Sequence, residues 1–155
     1  MNRIDFTVEK YHDWCEWEGV VPFVDDVSLV NLVGEYETAR GFHMPGSYGG
    51  IMPRRDNPRA YVRYLLGQFD PEDGRPTDDG WTLLLGCNCS VTGCWPLATH
   101  VTVDRDAVRW DRFSQPHRPS QDYSGFGPFI FARDEYDRAV EELAATLAAL
   151  YGKSP

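Results

Sequence analysis

A chain of 155 residues with five Trp, eight Tyr and eight Phe is long and apolar enough to close one core without disulfide staples, which excludes disorder over its whole length. Its formal net charge is −9, and apart from Arg54 and Arg55 its basic residues stand singly, so the basic stripe that a phosphate backbone requires is missing and nucleic acid is not an expected partner. No run of about 18 apolar residues could span a bilayer, and the opening MNRIDFTVEKYHDW lacks the apolar centre of a secretory signal, so the expectation is a cytosolic protein without membrane attachment.

The stretch RIDFTVE, 3 to 9, alternates as a half-buried strand does, and VVPFV, 20 to 24, is a second short strand after a loop that holds Trp14, Cys15 and Trp17. Together they read as an N-terminal hairpin. Cys15, between Trp14 and Glu16, reads as a packing residue. Leu29, Leu32, Val33 and Tyr36 then recur at helical spacing behind Asp25 and Asp26, predicting a helix over about 27 to 39 with an acidic cap, weakened by Gly34.

Residues 41 to 56, GFHMPGSYGGIMPRRD, are dense in Gly and Pro and predict a loop. Its GSYGG lacks both the pattern and the strand-to-helix setting of a phosphate loop. In NPRAYVRYLLG, 57 to 67, Asn is placed to cap, Pro to open and Gly to close a short helix, although its aromatic and β-branched content also suits a strand. The acidic run DPEDGRPTDDG, 70 to 80, misses the alternate-position oxygen spacing of a calcium loop and reads as solvated.

WTLLLG, 81 to 86, is a short apolar run with the character of a central strand buried on both faces. It leads into GCNCSVTGCWP. THVTVDRDAVRWDRF then predicts a hairpin turning at Arg105 and Asp106, with Val101 and Val103 facing Trp110 and Val108 and with His100 facing Asp111. After the polar loop SQPHRPSQDYSGFG come a last strand, PFIFA, and a C-terminal helix with Tyr136, Val140, Leu143, Leu147 and Leu150 in one stripe and Asp134 and Asp137 spaced as a capping box. Strands with helices at intervals and no βαβ repeat predict a single α+β domain: an antiparallel sheet packed on one side by helices, a long C-terminal helix among them.

The densest chemistry is Cys87, Cys89 and Cys94. In a reducing compartment such a cluster is more often a metal or redox site than a disulfide framework, while the plain alternative is three small buried residues at a strand end. Carried outward, the hairpin register sets Cys94 opposite His117, where facing Cβ atoms stand about 5 Å apart. Pro96 and Pro116 would splay the strands there. Cys87, Cys89, Cys94 and His117 could then hold zinc in a closed tetrahedron, although the spacing is not the CxxC knuckle of zinc ribbons. The same His117, oriented by Asp122, could instead serve as base to a Cys94 nucleophile. His100 against Asp111 needs no more than a surface cross-strand contact.

GCNCSVTGCWPL, FSQPHRP and YSGFGPFIF, with the earlier VPFVDDVSLVNLV and SYGG, resemble a family of small bacterial proteins common in actinobacteria that share a GCxC…GCWPL…QPHR…GPFxF arrangement and have no established activity. The resemblance covers most of the chain. It implies a single domain and ties the cysteine segment to QPHR, and it brings no function. Three readings stay open: a non-catalytic binding or regulatory module with structural cysteines, packed or zinc-bound; a thiol- or metal-dependent enzyme using the cysteines with His117; and an acidic immunity or inhibitor protein for a basic protein partner.

Overall fold

The computed structural model describes residues 1–10, 18–68, 81–88 and 95–152. Cys15, Cys89, Cys94 and the acidic run predicted for 70 to 80 lie outside these residues. The fold is α+β, with antiparallel sheets, a long C-terminal helix and one hydrophobic core. The strands divide between two sheets.

The first sheet is β1 (Ile4–Lys10), β2 (Glu18–Val24) and β3 (Val27–Ser28). β1 and β2 form the expected hairpin, with Ile4 opposite Val24 and Lys10 opposite Glu18. Asp25 and Asp26 do not cap a helix. They make the two-residue turn between β2 and β3 at φ 52° and 67°, a left-handed conformation that Asp tolerates better than most residues. Arg3 ties that turn down through its backbone N–H to Asp25 and its guanidinium to Asp26. The cap of α1 (Leu29–Ala39) is Ser28, whose Oγ accepts from the Val30 N–H at 3.2 Å.

The Gly-rich loop carries β4 (Tyr48–Gly49). Gly34, which weakens α1 by propensity, lets the loop lie close: a Cβ there would stand 3.3 Å from the Gly46 Cα. At Gly50 a Cβ would come within 2.8 Å of the β2 backbone, so the crossing requires glycine. The 57-to-67 segment is helical, as α2 (Arg59–Leu65); Pro58 occupies the cap position, no side chain caps the helix, and Gly67 follows at φ 69°.

The second sheet runs β4, β5 (Thr82–Cys87), β6 (Leu97–Val103), β7 (Ala107–Ser114) and β8 (Phe129–Ala132). Every residue of β5 is buried, as its apolar run demands. The β6–β7 hairpin has the expected pairs: Val103 with Val108, Val101 with Trp110 and His100 with Asp111. Beyond them the register shifts by one, to Ala98 with Ser114, because Arg112 and Phe113 together oppose Thr99. The expected pairing of Cys94 with His117 falls beyond this ladder, and Cys94 lies outside the described residues. β7 ends at Ser114, and His117 follows in a turn closed by the Arg118 N–H on the Gln115 carbonyl.

Two bridges join the sheets. Asn2 donates its N–H to the Ile130 carbonyl and accepts from the Ile130 N–H, while Val20 and Ile51 exchange a pair of backbone hydrogen bonds. Both edges of the larger sheet, β8 and the continuation of β4, are thereby covered. α3 (Arg133–Tyr151) packs on β1, β7 and β8 and against α2. Its stripe of Tyr136, Val140, Leu143 and Leu147 is buried as predicted, whereas Leu150 is exposed. The predicted capping box does not form. Ala132 is the cap residue, Asp134 accepts from the adjacent Glu135 N–H, and Asp137 pairs with Arg133 one turn back. No helix among the described residues is long and apolar enough to cross a membrane.

Candidate functional site

Glu37 lies on the buried face of α1, one turn beyond Val33 and two beyond Leu29, and is fully buried. A carboxylate there costs several kcal/mol unless its oxygens are satisfied. Three donors satisfy it: the Gly46 N–H at 2.8 Å, the Tyr48 hydroxyl at 2.9 Å and the Tyr123 hydroxyl at 2.5 Å. Burial above all, with the bonding to Glu37 and to each other, pushes Tyr48 far above the ordinary phenol range; burial and the bond to Glu37 do the same for Tyr123. Both phenols thus stay protonated as donors. The hub pins the Gly-rich loop and the loop after β7 to one helix. Tyr36 stacks on Tyr123 at 5.8 Å between ring centroids and donates its hydroxyl to the Asp122 carbonyl.

The loop so held forms one wall of a cleft of about 540 Å³. β7 contributes Arg109, Asp111, Arg112 and Phe113 to its lining, and Phe126 and Trp81 line it as well. Arg112 is the first residue of the bulge and sits at φ 51°, the position that glycine usually takes. The buried Thr99 hydroxyl holds the distortion by donating to the Asp111 carbonyl at 2.8 Å. Asp111 accepts from Arg109 Nε at 2.9 Å, while Arg112 Nε stands 3.8 Å from its other oxygen. Arg112 Nη2 is 3.1 Å from His100 Nδ1, and since a guanidinium can only donate, Nδ1 accepts. The His100 ring meets Trp81 edge-on at 4.1 Å. Asp122 lines the loop side, and hydrogen bonds from the Ser124 side chain and backbone hold its carboxyl below the usual range.

Of the proposed zinc ligands, Cys87 is buried at the end of β5, opposite Tyr48, with its Sγ 3.8 Å from Asn88 Oδ1. His117 is exposed, and its N–H donates to Gln115 Oε1. Cys89 and Cys94 are outside the described residues, among which no group of three or more His, Cys, Asp or Glu is placed to hold a metal. Asp122, proposed to orient His117, instead closes its own turn on Ser124. The QPHR stretch reaches the hub: Arg118 lies over the Trp95 ring at 3.8 Å and donates to Gln121, whose Oε1 stands 3.3 Å from the Tyr123 hydroxyl.

Sequence reasoning missed Glu37, Tyr48, Tyr123 and Arg112. Glu37 carried a signal, since a carboxylate continues the buried Leu29–Val33 spacing; the Arg112 bulge carried none. Comparison of the chain with protein-family models, with curated proteins and with solved structures gave no match.

Proposed function

We propose that this chain is a non-catalytic binding module whose cysteines serve structure and whose ligand occupies the cleft between β7 and the loop of residues 119 to 128. The observation that carries the reading is the cleft itself: about 540 Å³, within the range of small-molecule sites, and lined by both aromatic rings and charged groups. Its shape is held in advance. Tyr123 belongs both to the cleft and to the Glu37 hub, and a wall fixed by a satisfied buried network loses little entropy when a ligand arrives. The burial of Cys87 within a fully buried strand supports a structural role for that thiol.

The test is a fragment screen on the intact chain, read by thermal shift and by NMR. Ligands should raise the melting temperature, move the resonances of Trp81, Arg112 and Phe126, and be recovered chemically unchanged after long incubation. Ligands that map to other surfaces, or that are converted to product, would overturn the reading.

A further inference from the structure

We infer that the cleft takes a small ligand with a ring-like apolar body and one oxyanion, a carboxylate or a phosphate, and that Arg112 receives the oxyanion. This rests on the binding reading above and adds the ligand's chemical class. The charges of the walls decide it. Asp111 gives its Oδ2 to Arg109 at 2.9 Å, while its buried Oδ1, without a hydrogen-bond partner, faces only the more distant Arg112; Asp122 on the facing loop accepts from the Ser124 N–H. Arg112 differs from both: its nearest carboxylate oxygen is 3.8 Å away, its side chain is 65% exposed, and its other close contact is a neutral ring nitrogen of His100 acting as acceptor. A guanidinium presented in this way offers a planar pair of donors suited to an oxyanion.

The backbone argues the same. An arginine at φ 51° in a bulge is a conformation that glycine or asparagine would adopt at less cost, and bulges re-aim side chains beside sites. The strained residue is also the one whose guanidinium is held by its carboxylate only at 3.8 Å. The body of the ligand is set by Trp81, Phe113 and Phe126, the aromatic rings that line the cleft beside Tyr123. Trp81, edge-on to His100, and His100, bonded to Arg112, connect that apolar floor to the cation.

The experiment titrates the full chain with phenyl phosphate, benzoate, inorganic phosphate and benzylamine, following amide and side-chain resonances. Phenyl phosphate or benzoate should bind at the cleft, and whichever is tighter identifies the oxyanion; inorganic phosphate, which lacks the ring, should bind about tenfold more weakly or not at all. Arg112→Gly should weaken the ring oxyanions by about tenfold or more while the melting temperature holds or rises, because glycine relieves the backbone. Arg112→Asn, which keeps a polar side chain and tolerates the same φ, should lose binding equally. Benzylamine bound in the cleft with both ring oxyanions excluded would overturn the inference and leave the binding reading standing. Silence of the cleft towards all four probes would overturn the inference alone if fragments of other chemistry still mapped there, and both readings if none did. Unchanged oxyanion affinity in Arg112→Gly would also overturn it.

Discussion

At the scale of single residues the fold depends most on Glu37. It is wholly enclosed and accepts from two phenols and a backbone N–H. Removing it leaves two buried phenols and a half-buried N–H without their acceptor, at about 1–3 kcal/mol each before relaxation, so Glu37→Ala should cost about 4 kcal/mol in urea unfolding. Tyr48→Phe and Tyr123→Phe should cost about 1–2 kcal/mol apiece and combine non-additively, because they share an acceptor. Costs below 0.5 kcal/mol for all three would mean that the hub does not hold the loops. Cys87→Ser tests the thiol: a hydroxyl at a buried strand position should cost about 1–2 kcal/mol and leave cleft binding intact. A melting temperature that a chelator lowers in the parent but not in the variant would assign Cys87 to a metal site instead. Glu37 was partly legible, as a polar residue on an apolar helical face. Arg112 was not: nothing in DRF at 111 to 113 says that two residues will face one, and that single slip ends the predicted register beyond His100 and Asp111.

At the scale of elements, periodicity carried most of the reading, and end chemistry carried α2, bracketed by Asn57, Pro58 and Gly67, but not the starts of α1 and α3. The α3 stripe could be read because burial repeats every three or four residues over 19 positions, and the β6–β7 pairs because Val101, Val103, Val108 and Trp110 alternate on both sides of a polar turn. The caps failed for a local reason. Asp25, Asp26 and Asp134 all suit helix starts, yet hairpin closure claims the first two, and α3 begins at Arg133, one residue ahead of the third. Leu143, 2% exposed in the α3 stripe, gives the direct check: Leu143→Asp should lower stability by about 3 kcal/mol or more and drive the protein out of solution. Should the variant stay soluble with an unchanged melting temperature, α3 would not pack as described. The same face includes Tyr136, whose hydroxyl accepts from Trp110 Nε1 and donates to the Leu65 carbonyl, so α3 is linked by hydrogen bonds to both β7 and α2.

For the molecule as a whole, three enclosed phenols set the alkaline limit. Burial is the main cause that raises Tyr48, Tyr123 and Tyr136 well above their ordinary value of 10.0. Below that value the phenols are neutral in folded and unfolded chains alike, and the full stability is present. As pH climbs past it, the unfolded chain sheds protons that the folded chain keeps, and each tyrosine removes about 1.4 kcal/mol per pH unit until its folded-state value is reached. Unfolding should therefore set in above pH 10, with tyrosinate absorbance from the buried phenols rising together with loss of near-UV circular dichroism. Tyrosinate formed by all eight residues at ordinary pH with the fold intact would contradict the burial. The net charge of −9 supplies a further expectation: duplex DNA should not be bound measurably at physiological salt, and salt-dependent micromolar binding would refute it.

The backbone contact between Asn2 and Ile130 spans 128 positions of sequence. During synthesis at about 5–20 residues per second, the N-terminal hairpin leaves the ribosome many seconds before the strand it must meet exists. Until then the segment around Asn2 lacks its partner and stays open to pairing with other chains, and the bridge closes only once Ile130 has emerged. High local concentration of nascent chains should favour hairpin exchange between neighbours, and slower expression should shift the yield from tangled oligomers to monomer.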